Sequence, residues 1–271
     1  MIDFGSDFKY YLLKITKAGD TLLTNERHDF ILRLIEEKRT VKLQELVELT
    51  DASESTLRRD LTELESMGKL ERVFGGAVLP ARNLQEPSIA DKSTRNLMEK
   101  KSIAEYAAAF VQEGDSVFLD AGTTTLQMIP FLKDKNPVVV TNGLPLAEAL
   151  NDAGITTYLT GGLLKRRTGA FVGSGALLAL DTYHFDVCFL GVNGFHTEYG
   201  YTTPDPEEAA IKQKACSHSR TTYVLADHSK MHKVSFAKIM DLTEAFLIVD
   251  QLAPEALLEF EKITHVKVVG K

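Results

Sequence analysis

The sequence predicts two units, a small three-helix unit closed by a β-hairpin and a larger α/β sandwich built on a mostly parallel sheet. Three observations carry this. Leu57, Leu61 and Leu64 recur at helical spacing in a leucine-rich N-terminal region, where alternating residues and paired glycines then mark a hairpin. A polar, proline-bearing stretch, PARNLQEPSIADK over residues 80–92, breaks that pattern. Beyond it, short β-rich runs alternate with helical stretches, which is the texture of a sheet covered on both faces.

Composition narrows the possibilities. The chain has 271 residues and a formal net charge of −7, so it lacks a generally basic coat for nucleic acid, and any such contact comes from a local patch. No apolar run approaches the roughly 20 residues of a membrane span and no secretory pattern opens the chain, so the expected location is cytoplasmic, with no membrane partner. Cys188 and Cys216 then read as buried thiols rather than a disulfide.

Residues 1–21 differ in texture from the rest of the chain. Lys17-Ala18-Gly19-Asp20 can be encoded by a run containing GGAG, a ribosome-binding sequence, just ahead of Leu22-Leu23, where a TTG codon can initiate; this segment is therefore expected to be a non-native extension. The competing reading is a short helix through Phe8, Tyr11, Leu12 and Ile15. Thr24 or Asn25 can cap the next helix, with Ile31, Leu34 and Ile35 inward. A second short helix carries Leu43, Leu46, Val47 and Leu49, and Thr50-Asp51-Ala52 turns into Ser53.

Ser53 is a good N-cap for a third helix whose leucine stripe leaves Ser55, Thr56, Arg58 and Arg59 largely toward solvent, the layout of a recognition helix. Gly68 is a plausible stop, and residues 69–74 alternate into a strand that Gly75-Gly76 turns back through Ala77, Val78 and Leu79, as a wing. The plain alternative is solvated surface, with Asp60 and Glu63 partnering Arg59. Residues 21–82 hold ten basic and twelve acidic side chains, so a DNA contact would be narrow. It would rest on Ser55, Thr56, Arg58, Arg59, Lys69, Arg72, Gly75 and Gly76, with Arg58 reading a base and Arg59 shared between phosphate and a neighbouring carboxylate.

In the larger unit a helix runs over residues 96–111. The runs VFLDAG, VVVTN, TTYLTGG, FDVCFLGVNG, TTYVLAD, AFLIVD and HVKVVG are strands, with helices over 124–132, 144–153, 175–182, 207–219 and 254–260 between several of them. Ligands in such folds bind where strands end at their carboxyl edge, and those ends are small and polar here. They carry Asp120, Gly122, Thr123 and Thr124; Thr141 and Asn142; Gly161 and Gly162; Asn193; and Asp227 and Lys230. A glycine followed by three threonines at a helix start suits a phosphate, although on pattern alone a threonine-capped helix with nothing bound serves equally well. Lys165, Arg166 and Arg167 can supply counter-charge or be a solvated loop, and Asp205, Glu208 and Lys212 share one face of a helix, where carboxylates can bind sugar hydroxyls.

ERHDFIL, then LQELVELTDASESTLRRDLTELESMGKLERVFGGAV, resembles the winged helix-turn-helix of the DeoR family of bacterial transcription regulators, with STLRRDL and the R-V-x-G-G-A hairpin as the most specific words. LDAGTTT, VVVTNGLPLA, LTGGLLKRRTGAFVG, DVCFLGVNGF, GYTTPDPEEAAIKQKA and VLADHSK are similar to that family's effector domain, so the resemblance covers nearly everything from Leu22 onward. It implies a fold shared with ribose 5-phosphate isomerase and the CoA transferases, and a phosphorylated sugar as effector. Among the family's branches the fructose-operon repressors are nearest, which makes fructose 1-phosphate the first candidate. Residues 22–79 are thus expected to bind DNA, 80–95 to link, and 96–271 to hold the effector.

The implied protein is a homo-oligomeric repressor, dimer or tetramer, reading half-sites of double-stranded operator DNA roughly 34 Å or a multiple apart. No cofactor is expected, and Cys216, His218 and the 228–232 histidines lack the paired spacing of a zinc site. The alternative is a sugar-phosphate isomerase with a DNA-binding appendage, in which Asp120, Glu208 and Lys212 are base, acid and electrostatic stabiliser.

Overall fold

A computed structural model describes residues 24–38, 40–67, 69–73, 75–78 and 89–270, which fall into two compact units divided between Ala81 and Arg82. The expectations for residues 1–21, for the Gly68 helix stop and for residues 80–88 lie outside the described residues.

The small unit contains α1 (Thr24–Lys38), β1 (Thr40–Lys42), α2 (Leu43–Thr50), α3 (Glu54–Ser66), β2 (Glu71–Val73) and β3 (Gly76–Val78). Its core gathers Phe30, Ile31, Leu34 and Ile35 of α1 with Leu46 of α2 and the Leu57, Leu61, Leu64 stripe of α3, all essentially inaccessible to water. Asp51 makes the turn between α2 and α3 in the left-handed region (φ 53°), its amide donating to the Val47 carbonyl at 3.1 Å. Ser53 then caps α3, its hydroxyl accepting from the Thr56 amide at 3.2 Å. The expected hairpin of β2 and β3 is present, but it belongs to a three-stranded antiparallel sheet in which β3 lies between β2 and β1. Thr40-Val41-Lys42, too short to read as a strand alone, becomes one by pairing with residues 76–78.

The large unit begins with α4 (Ile89–Thr94) and α5 (Leu97–Ala108). Helix α4 falls inside the stretch expected to be a helix-breaking linker. Residues 89–94 contain no proline, and nothing in their sequence bars a helix. Seven strands come next in one parallel sheet of order β15-β14-β12-β9-β4-β5-β6, namely β4 (Ser116–Leu119), β5 (Val138–Thr141), β6 (Thr157–Leu159), β9 (Phe185–Gly191), β12 (Ser219–Ala226), β14 (Phe246–Val249) and β15 (Val266–Val268). Their side chains alternate between two cores. Phe118, Val140, Leu190, Val224 and Leu247 face one, whereas Val117, Val139, Phe189, Leu225 and Ile248 face the other.

Helices α5, α6 (Thr123–Leu126) and α7 (Leu144–Asp152) cover the second face. On the first lie α8 (Ser174–Leu180), α9 (Pro206–Ser217) and α10 (Pro254–Glu261). A hairpin of β7 (Leu163–Leu164) and β8 (Phe171–Val172) completes the unit with a small antiparallel sheet of β10 (Gly194–His196), β11 (Gly200–Thr203) and β13 (Ala237–Met240). Helix α6 is shorter than expected. After Leu126 the chain tightens into a 3₁₀ turn at Ile129–Phe131, because Pro130 cannot donate to an α-helical ladder. No helix among the described residues is long and apolar enough to cross a membrane.

Candidate effector cavity and nucleic-acid interface

On α3, Ser55, Arg58 and Arg59 are exposed and Thr56 is half-buried. Arg58 makes a loose exposed pair with Glu54 at 3.3 Å, one helical turn away. Asp60 is not available to Arg59. It is buried on the inner face of α3, where Arg27 of α1 donates Nη2 to Oδ1 at 3.0 Å and a second bond through Nε, and His28 approaches at 3.3 Å. The hydrogen bond to Asp60 raises the Arg27 guanidinium further, against the opposing effect of burial. This buried triad was missed from sequence, although Asp60 sits three residues after Leu57 and so inside the apolar stripe.

On the wing, Lys69 and Arg72 are exposed, and Arg72 donates Nη1 to the Thr62 hydroxyl at 2.8 Å, which holds it beside α3. Gly75 turns at φ +84° with open space around it. Gly76 is buried instead: a Cβ there would stand 2.1 Å from the Val41 carbonyl oxygen, so this glycine permits the close approach of β1.

A cavity of about 380 Å³ opens at the carboxyl ends of β4, β9 and β12, three strands adjacent in the sheet. It brings together Asp120, Gly122, Thr123, Thr124, Asn193, Glu208, Lys212, Asp227 and Lys230 of the sequence-predicted positions. Thr141, Asn142, Gly161, Gly162 and Asp205 do not line it. Sheet order explains the first four, since β5 and β6 end on the far side of β4, whereas Asp205 is taken up in capping α9.

Those five groups hold the frame. Thr141 accepts from the Gly143 amide at 3.0 Å, and Asn142 accepts from Ala121 N at 3.0 Å and donates to Phe171 O at 3.2 Å. Gly161 (φ +65°) and Gly162 (φ +103°) make a left-handed turn, and a Cβ on Gly162 would stand 2.6 Å from the Val172 carbonyl oxygen. Asp205 caps α9, accepting from the Glu207 and Glu208 amides at 2.8 and 3.2 Å, and pairs with Lys165. Lys165 is thereby tied to the helix start, and Arg166 and Arg167, which do not line the cavity, are exposed.

Asp120, at the end of β4, is buried with Lys212 of α9 in an ion pair, and the Gly191 amide donates to the same carboxylate oxygen at 3.1 Å. Glu208, one turn before Lys212, accepts from the Thr168 hydroxyl at 2.8 Å. Asp227 accepts from Asn96 Nδ2 at 2.9 Å and from the Ser229 amide at 3.1 Å. Burial alone would raise the Asp227 carboxyl, but Lys230, the Ser229 and Asn96 hydrogen bonds and Lys100 outweigh it and hold it below its ordinary range.

Sequence reasoning missed Lys92, Arg95, Asn96, Lys100 and Lys233, all of which line the cavity. Four of them lie in or beside the stretch expected to be linker, where a basic residue at each of 92, 95 and 100 was the available signal. With them the cavity has six basic side chains (Lys92, Arg95, Lys100, Lys212, Lys230, Lys233) against three carboxylates (Asp120, Glu208, Asp227). Burial, and then the neighbouring cations, push the lysines down against the pull of Asp227: Lys230 to about 8, and Lys100 and Lys233 below their ordinary range. Such a lining offers cations to an anion and carboxylates to hydroxyl groups.

Residues 27–83 match the DeoR-like helix-turn-helix domain and residues 95–251 the DeoR C terminal sensor domain. The chain is 49% identical over 249 residues to the uncharacterized HTH-type transcriptional regulator FruR of Bacillus subtilis (strain 168), covering 92% of this chain and 99% of that protein. It is 35% identical to a putative aga operon transcriptional repressor of Escherichia coli O157:H7 (91% and 93% covered). To the lactose phosphotransferase system repressor of Staphylococcus aureus (strain NCTC 8325 / PS 47) it is 34% identical (90% and 98% covered). Among solved structures it aligns with ribose 5-phosphate isomerase A of Methanocaldococcus jannaschii at a TM-score of 0.39 and 16% identity, over 50% of this chain and 55% of that one. With a capped recognition helix and wing in one unit, a parallel α/β sensor fold in the other, and both family domains matched along its length, the chain belongs to the DeoR family of DNA-binding transcriptional regulators.

Proposed function

We propose that the protein is a cytoplasmic, homo-oligomeric repressor of a sugar-utilisation operon, released from its operator by a phosphorylated sugar, with fructose 1-phosphate as the first candidate. The charge arrangement of the cavity carries this reading. A phosphate monoester brings about −1.5 to −2 charges at neutral pH, which six basic side chains around about 380 Å³ are suited to accept. Asp120, Glu208, Asp227 and Asn193 on the same walls offer partners for sugar hydroxyls, and Gly122, Thr123 and Thr124 add a close backbone approach with two hydroxyls. That two of the relatives are by name repressors of the aga operon and of a lactose phosphotransferase system supports a sugar as the signal.

On the DNA side, Ser55, Thr56, Arg58 and Arg59 of α3 would enter the major groove, with Lys69, Arg72 and the Gly75 turn on the flanking backbone. Gly76 contributes through the fold of the wing. The test is operator binding by fluorescence anisotropy beside a thermal-shift titration. Fructose 1-phosphate at a hundredfold excess over its Kd should stabilise the protein by about 2.7 kcal/mol and weaken operator binding, while unphosphorylated fructose does neither. A panel of sugar phosphates that moves neither readout would overturn the effector role.

A further inference from the structure

Several walls of the cavity belong to the body of the sensor fold, but one comes from the first described stretch after the DNA-binding unit. Ile89, Lys92, Arg95, Asn96 and Lys100, on α4, the turn after it and the first part of α5, reach the same space as Lys230 and Lys233. We propose that residues 89–100 form a ligand-dependent clasp: a phosphorylated ligand bridging Lys92 and Arg95 to Lys230 and Lys233 fastens the clasp, and an empty cavity loosens it, so that occupancy is passed along the chain toward the DNA-binding unit. This rests on the sugar-phosphate reading of the cavity and adds how binding is reported.

Polar contacts at both ends of the clasp reach the body of the fold. The Ile89 amide donates to the Arg167 carbonyl at 3.0 Å, and Asn96 donates to Asp227 at 2.9 Å. Lys100 donates to the Arg95 carbonyl at 2.7 Å and to the Lys92 carbonyl, which ties α4 to α5 rather than to the sheet. The first residues of α5 add little, since Leu97 is partly exposed and Met98 is 71% exposed. Asn96, between the two helices, adopts φ 51° and ψ 42°, a left-handed conformation that asparagine tolerates and that lets the chain change direction at one residue.

Against these bonds stands like-charge repulsion. Lys92 and Arg95 on the clasp lower the proton affinity of Lys230 and Lys233 on the body respectively, and Asp227 is the shared counter-charge. A phosphate placed among them reverses the sign: each cation gains a charge-assisted hydrogen bond to one shared anion. The ligand thus favours the fastened clasp over the loose one, the differential affinity that any switch requires.

The experiment uses the full chain. Fructose 1-phosphate and, separately, inorganic phosphate are titrated by calorimetry, and amide exchange and operator affinity are read at saturation. Exchange of residues 89–100 is expected to slow at least about tenfold, and operator affinity to change by about 5- to 150-fold with fructose 1-phosphate. A second protein carries Gly-Ser-Gly-Ser inserted after Ala81, which is not among the residues that line the cavity. It should retain ligand affinity and the slowed exchange while its operator affinity no longer responds. Ligand binding without slowed exchange in residues 89–100, or an operator response that survives the insertion, overturns the clasp and leaves the effector reading standing. If neither probe binds, the effector reading fails and the clasp fails with it.

Discussion

In the DNA-binding unit the buried charges are matched inside the unit: Asp60 on α3 meets Arg27 and His28 on α1, and the exposed arginines of α3 lie outside that arrangement. In the sensor unit one pair is matched the same way, Asp120 with Lys212, but around it the cavity gathers cations beyond the carboxylates available to them. The contrast separates two uses of charge. A buried carboxylate with its own partners fixes how helices pack, whereas cations that outnumber the carboxylates beside them leave net positive charge that suits a further anion.

The largest expected effect breaks the matched side. Asp60→Ala leaves Arg27 buried without its carboxylate and should cost about 3–5 kcal/mol, seen in calorimetry as a fall of the small unit's transition with the sensor unit's unchanged. Next, the exposed arginines test whether they face DNA. Arg58→Ala should cost about 1–3 kcal/mol of operator binding and relax the preference at one base pair, and Arg59→Ala should reduce the salt slope by about one. Equal binding to all operator variants by wild type and Arg58→Ala would remove the base-reading role.

On the unmatched side, Lys230→Met should do two opposite things. It removes a lysine that the empty cavity holds at a cost, and should raise Tm by roughly 2–4 °C, while Asp227 keeps Asn96, Ser229 and Lys100. It should also abolish stabilisation by fructose 1-phosphate, so a thermal-shift titration reads both. The smallest effect is one of pH. Because Lys230 is depressed to about 8, the folded protein gives up that proton before the unfolded chain does, so empty-state stability rises as pH climbs from about 8 toward the ordinary lysine value of 10.5. Ligand affinity runs the other way: it falls as pH rises through about 8, a range in which the phosphate is already doubly ionised, and calorimetry in buffers of different ionisation enthalpy should show proton uptake.

Much of this architecture was legible from local pattern. All seven runs expected as strands are the seven strands of the parallel sheet, because β-branched and aromatic residues dominate them and two covering layers require the central strands to be apolar on both sides. What local pattern could not supply was neighbour relations. β1 is a strand through its pairing with β3, and β13 joins the short β10–β11 hairpin from a distant part of the chain. The site was legible in the same proportion. Strand-end residues could be collected by eye, but which ends share a cavity depends on sheet order, so Thr141 and Gly161 were grouped with Asp120 although β5 and β6 carry them away. Lys92 and Arg95 were hidden for another reason: they sit on a segment whose prolines suggest a linker, and Lys100 lies at the start of the helix expected after it, away from any strand end.

The three-stranded sheet of the small unit bears on how an operator can evolve. β3 is fastened to β2 on one side and to β1 on the other, Gly76 is packed against Val41, and the Leu43 amide at the start of α2 donates to the Gly75 carbonyl at 2.8 Å. Wing tip and recognition helix are therefore parts of one template of fixed gauge. If helix and wing both meet DNA as proposed, a half-site can exchange one base for another under this template, but it cannot lengthen or shorten by a base pair between the two contacts. Divergence among target sites should appear as substitutions and as changed distance between half-sites, never as insertions within one.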